Sequence, residues 1–124
     1  MSNKTGNLYC YRATVLRVVD GDTIDVLLDL GFGVSLKERI RFYGVNAPES
    51  RTRDADEKVL GLAAMDFVIQ WVERYAGEII IRTTIDKRGK FGRILGEIIN
   101  SDGDCLNDEM LEKGHAVEYF GGKR

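Results

Sequence analysis

Apolar and polar positions alternate through the first third of the chain. Residues 9–19 are rich in β-branched and aromatic side chains and predict a strand, which breaks at Asp20-Gly21-Asp22, a turn signal. A second strand follows with Ile24, Val26, Leu28 and Leu30 on one face and Asp25 and Asp29 on the other, the pattern of a sheet with one dry side. Gly31 and Gly33 turn the chain into a third strand over residues 35–43, where Ile40 and Phe42 oppose Arg39, Arg41 and Tyr43. Beyond a loop at residues 44–53 the period changes. Leu60, Ala63, Ala64, Phe67, Val68, Trp71 and Val72 recur at helical spacing, so one stripe of a long helix is expected to pack on the sheet until Gly77 ends it. Two more strands, residues 78–84 and 92–100, flank the basic hairpin DKRGKFG. The turn Ser101-Asp102-Gly103 leads to a second, shorter helix at residues 106–113, stopped by Gly114.

Three strands, a helix, two strands and a helix make an α+β, mainly β chain. Five short strands with the long helix after strand 3 and a shorter C-terminal helix predict an OB-fold barrel, a surface that commonly binds oligonucleotides or oligosaccharides. A small α+β sandwich has the same element order, and fold alone does not decide function. With 124 residues the chain can bury one core. The expected division is a disordered N-terminal segment at residues 1–8, a domain at 9–120 and a tail at 121–124. No apolar run approaches the ~20 residues of a membrane span, and no basic patch precedes a hydrophobic segment, so a soluble, cytoplasmic protein with no membrane partner is expected. Cys10 and Cys105 lack the spacing of a disulfide framework or zinc site and are expected as thiols.

A formal charge of −2 argues against nucleic-acid binding by bulk electrostatics, yet the charges are unevenly spread. Arg39, Arg41, Arg51 and Arg53 surround Glu49, and Arg82, Lys87, Arg88, Lys90 and Arg93 surround Asp86. Three segments carry candidate chemistry. Asp20 and Asp22 bring two carboxylates close in a tight turn, which suits a hard divalent cation or, equally, aspartates bonding their own backbone. In RFYGVNAPE, residues 41–49, proline restricts the backbone and holds Asn46 and Glu49 in a defined relation. In KFGR, residues 90–93, glycine-flanked Phe91 lies between Lys90 and Arg93, two cations a hairpin can present to an anion.

Together DGDT (residues 20–23), RFYGVNAPE and KFGR, in that order with a long helix between the last two, resemble the staphylococcal nuclease family, the thermonucleases. The resemblance runs over about residues 13–120. It implies the same OB-fold barrel and a Ca²⁺-dependent phosphodiesterase acting on DNA and/or RNA. By this resemblance Asp22 is a direct calcium ligand, Asn46 stands where the family has a second aspartate, and a neighbouring backbone carbonyl completes the protein ligands. Thr23 and Ala47 are both placed to supply it, with Ala47 favoured by the backbone spacing. Asp20 falls in the outer shell. Glu49 matches the glutamate that orients or deprotonates the attacking water, and Arg41 and Arg93 match the two phosphate-binding arginines. Lys90, Phe91, Tyr119 and Phe120 are substrate-binding candidates, although Phe91 and Phe120 serve equally well as hydrophobic plugs. His115 matches no catalytic position of the family and is read as structural. Asn46 keeps an oxygen donor but removes a charge. The alternatives are therefore a catalytically weak or inactive nucleic-acid-binding module, or a protein-interaction barrel. Monomer and homodimer both remain open.

Overall fold

The computed structural model describes residues 9–85 and 94–120. Strands β1 (Cys10–Asp20), β2 (Thr23–Gly31) and β3 (Val34–Phe42) form an antiparallel meander, and β4 (Val45–Asn46) follows after one turn. Helix α1 (Ala55–Glu73) leads to β5 (Glu78–Ile85) and β6 (Ile94–Ile99), then to α2 (Leu106–Glu112) and β7 (Val117–Glu118). The long strands close a barrel in the order β1-β2-β3-β6-β5, with β3 and β6 parallel and every other junction antiparallel. This is the expected OB-fold architecture, with α1 entering after the third barrel strand. Among the described residues no helix is long and apolar enough to cross a membrane.

Period-two patterning places Ile24, Val26, Leu28, Ile40, Phe42, Ile79, Ile81 and Ile98 inside. Leu30 departs from the expected row: it is exposed near the Gly31–Gly33 turn, beyond the end of the packed barrel. The interior is filled closely at Gly96, where a Cβ would stand 2.8 Å from the Cγ2 atoms of both Ile40 and Ile81. The register of β1 against β2 shifts by one residue between Val15 and Arg17 and again between Val18 and Asp20. Such shifts bend and re-aim a strand, here just before the turn that carries Asp20 and Asp22.

Helix α1 starts where Asp54 caps it, its carboxylate accepting the N–H groups of Asp56 and Glu57, and Asp56 and Glu57 place negative charge in the first turn. Its buried face is Gly61, Ala64, Val68, Trp71 and Val72. The stripe expected from periodicity included Leu60 and Ala63, but both are exposed and Phe67 is half-buried. The helix is turned so that its smallest residues meet the barrel. Trp71 is fully buried and donates its indole N–H to Glu109 of α2, joining the two helices.

Two short features were not legible in the hydrophobic pattern. Strands β4 and β7 pair antiparallel, Val45 with Glu118 and Asn46 with Val117. Buried Asn107 of α2 accepts the Ile98 N–H and donates to the carbonyls of Tyr43 and Gly96, bridging the parallel β3–β6 seam. Cys10 and Cys105 form no disulfide, as expected.

Asn107→Ala should lower stability by about 2–4 kcal/mol, because the buried Ile98 N–H and the Tyr43 carbonyl lose this partner together. The readout is a lower urea midpoint with an unchanged denaturant slope. On the surface, the Arg39 hydrogen bond holds the Asp25 carboxyl below its ordinary value. A lowered folded-state value stabilises above the unfolded value, and that contribution disappears as pH falls through the folded one. Asp25→Asn should therefore flatten the acid limb of the Tm-against-pH curve.

Candidate functional site

The centre of the site is a buried carboxylate. Asp22 is only 5% exposed. It sits in the β1–β2 turn because Asp20 pairs with Thr23, leaving Gly21 and Asp22 at the bend. Its Oδ1 accepts the Thr23 hydroxyl at 3.0 Å and its Oδ2 accepts the Ala47 N–H at 2.9 Å. Arg41 Nη1 approaches the same Oδ2 at 3.4 Å. The Asp22 carbonyl meanwhile accepts the Phe42 N–H at 2.8 Å, so backbone and side chain both tie the turn to β3 and the segment after it.

Arg41 reaches this place through register. It pairs with Thr23 across the β2–β3 ladder, so its side chain emerges beside the Asp22 turn. Its Nη1 donates to the carbonyls of Val45 at 2.9 Å and Phe42 at 3.3 Å, and its Nη2 donates to Asn46 Oδ1 at 3.0 Å. The Tyr119 ring lies 6.0 Å from the guanidinium carbon. The guanidinium is thereby held in one orientation, between the Asp22 carboxylate and the Asn46 amide oxygen. The β4–β7 pair is what places Asn46 and Tyr119 together, helped by the Tyr119 N–H donating to the Gly44 carbonyl at 2.9 Å.

Four residues singled out in the sequence, Asp22, Arg41, Asn46 and Ala47, thus form one hydrogen-bonded group, with Tyr119 alongside. Glu49 stands exposed two residues beyond Ala47, with its backbone N–H directed at Glu57 Oε2 at 3.4 Å. Asp20 is half-buried, and its Oδ1 accepts the N–H groups of Gly21 at 3.1 Å and Ser50 at 3.3 Å. Phe120 is 60% exposed and packs edge-on against Tyr43 at 5.7 Å, on the other side of Gly44. Lys90, Phe91 and Arg93 lie outside the described residues. The arginines expected around Glu49 separate: Arg39 makes a bidentate pair with Asp25, while Arg51 and Arg53 are exposed in the loop before α1. His115 packs against Phe67 with ring centroids 4.8 Å apart. Residues the pattern did not single out are Glu57 and Gly61, while Ala64 was read only as part of the buried helical stripe. A lone glycine inside a strong helical period was the one signal that could have found Gly61.

A groove of about 720 Å³ opens beside the group, lined by Asn46, Pro48 and Glu49 on one side and Leu60, His115 and Val117 on the other. Cysteine chemistry has no support here, since burial pushes the Cys105 thiol up and keeps it protonated at neutral pH. The donors that converge are hard oxygens: the Asp22 carboxylate and the Asn46 amide, with the Asp20 and Glu49 carboxyls on the adjoining segments. Such a set fits Ca²⁺ or Mg²⁺ and not a thiophilic metal. Its charge is low, for no group of three or more His, Cys, Asp or Glu converges among the described residues. Arg41 supplies positive charge between Asp22 and Asn46, which a cation seated there would have to share or displace.

Comparison with known proteins places this arrangement in context. Residues 39–124 match the family described as staphylococcal nuclease homologue. The protein named endonuclease YhcR of Bacillus subtilis (strain 168) is 36% identical over 115 residues, covering 89% of this chain and 9% of that protein. An uncharacterized endonuclease of Escherichia coli is 34% identical over 105 residues, covering 85% of this chain and 59% of its own length. A third relative, an uncharacterized endonuclease of Escherichia coli O157:H7, is 33% identical over the same length.

Asp22→Ala should cost about 2–3 kcal/mol in urea unfolding, because it removes the acceptor of the Ala47 N–H and the carboxylate beside Arg41. Asp22→Asn keeps an oxygen acceptor and should lose less.

Proposed function

Because the chain belongs to the family of staphylococcal nuclease homologues, we propose that it hydrolyses phosphodiester bonds in DNA or RNA with the help of a hard divalent cation. The observation that carries the reading is the fixed Arg41 guanidinium, facing a pocket of hard oxygens with Glu49 on the adjoining loop. The protein would hold Ca²⁺ through Asp22, Asn46 and the Ala47 carbonyl, and the ion would supply charge neutralisation and a more acidic bound water.

The remaining work falls to this chain's own groups. Phosphoryl transfer needs the phosphate held in line with its nucleophile and the charge on its equatorial oxygens balanced. Arg41 meets that need with a planar fork that matches two phosphate oxygens, and its anchors to Val45 and Asn46 reduce the reorganisation required. Arg93, which matches the second phosphate-binding arginine of the family, is assigned the same task. Glu49 accepts the proton of the attacking water, a role open to an exposed carboxylate on a loop of defined backbone. Tyr119 beneath Arg41, together with Lys90, Phe91 and Phe120, provides aromatic and cationic contacts for the sugar, base or neighbouring phosphate.

Asn46 favours a second reading. With an amide in place of a carboxylate, the oxygen that would face the cation is neutral and already accepts from Arg41. A barrel that binds nucleic acid without cutting it is the outcome if cation binding is too weak.

Labelled single-stranded DNA incubated with Ca²⁺, Mg²⁺, Mn²⁺ or EDTA separates the two. The enzyme reading expects cleavage that EDTA abolishes and that Glu49→Gln, Arg41→Ala and Arg93→Ala each reduce by at least ~10² in kcat. Cleavage that persists in EDTA and in Glu49→Gln would remove it, whereas DNA retention without cleavage selects the binding module. Asn46→Asp should tighten calcium by about tenfold in isothermal titration calorimetry, by restoring one ligand charge.

A further inference from the structure

We propose that helix α1 is the seat of the Glu49 backbone, with Gly61 and Asp20 as positioning residues for the carboxylate on that loop. Gly61 lies buried in the middle of a 19-residue helix, where glycine weakens the helix relative to alanine. The reason is contact. A Cβ at Gly61 would stand 2.4 Å from the Glu49 carbonyl oxygen, 2.5 Å from its carbon and 2.6 Å from the Ser50 nitrogen. All three are backbone atoms, so no side-chain rotation could relieve the clash. The Glu49–Ser50 peptide rests directly on the helix.

Two carboxylates hold that peptide and the one before it. The Ser50 N–H donates to Asp20 Oδ1, and Ser50 itself is only 6% exposed. The Glu49 N–H is directed at Glu57, one helical turn before Gly61. The same face of α1 also seats the other half of the site. One turn further on, the Ala64 Cβ would lie 2.8 Å from a Cβ placed on Gly21, and the Ala47 Cβ 3.0 Å from it. Gly61 and Ala64 therefore set the distance between the turn bearing Asp22 and the loop bearing Glu49. The Glu49 side chain is carried on this backbone, so where the peptide rests sets where the carboxylate can reach. A displacement on the order of 1 Å costs about 10² in rate when geometry is critical.

The proposal rests on the reading of Glu49 as the general base, and its test separates the two. Gly61→Ala should lower kcat by about 10²-fold while leaving KM for single-stranded DNA nearly unchanged. In a Glu49→Gln background the same change should cost nothing further. An undiminished kcat in folded Gly61→Ala, or an equal loss in both backgrounds, would overturn the positioning role. Hydrogen exchange in EDTA gives a second readout independent of catalysis and of any cation. Asp20→Ala should speed exchange of the Ser50 amide, and Asp20→Asn, which retains an oxygen acceptor, should restore its protection. Unaltered Ser50 exchange in Asp20→Ala would overturn the latch even if Gly61→Ala fails to fold. A wild-type protein without nuclease activity would remove the catalytic reading, and the exchange data alone would then decide whether the loop is seated as proposed.

Discussion

The carboxylate of Asp22 is the constraint on which the rest of the site depends. A charge taken out of water is stable only if other groups replace its hydration, and here the Thr23 hydroxyl, the Ala47 N–H and the Arg41 guanidinium do so. Each comes from a different stretch: the β1–β2 turn, the segment after β4 and the end of β3. Satisfying one buried group therefore draws three segments to a point. The hydrogen-bond requirement of a single side chain is converted into the convergence of the candidate site.

Arg41 has two tasks in the same place. It compensates Asp22 and aligns Asn46, and its fixed fork is the group best suited to a phosphate. In a site with one buried carboxylate and one amide, an internal guanidinium competes with any incoming cation for the same oxygens. The replacement of charge by an amide at position 46 tilts that balance toward the guanidinium. Under the proposed function, affinity for a cation and readiness for phosphate would be coupled through one arginine.

The net charge of −2 is a sum that does not describe how the charges are placed. Asp25 already pairs with Arg39 on the barrel surface, and Glu97 pairs with Arg82. The acidic residues near α2 serve structure: Glu109 takes the Trp71 indole N–H, and Asp104 contacts the Asn100 amide. In the proposed function the substrate contacts would fall to a few arginines and aromatic rings, and bulk electrostatics would have pointed the other way.

Much of the barrel was legible from alternation, since Ile24, Val26, Leu28, Ile40 and Phe42 each had to turn inward for their strands to share one dry face. The candidate residues Asp22, Arg41, Asn46 and Glu49 were singled out by type and position in the motifs, and their expected roles came from the family resemblance. Leu60 and Ala63 were assigned to the wrong face, because hydrophobic periodicity ranks a bulky side chain above glycine and cannot register that a backbone must lie against the helix at Gly61. The two-residue strands β4 and β7 are too short to carry a period, and their pairing joins segments some seventy residues apart. The chain by itself determined which chemical groups are available and which strands are dry on one side, because both follow from local composition and period. Which groups meet, and at what distance, was decided only by the tertiary structure, because that depends on close backbone contact and on a buried charge that only folded neighbours can satisfy.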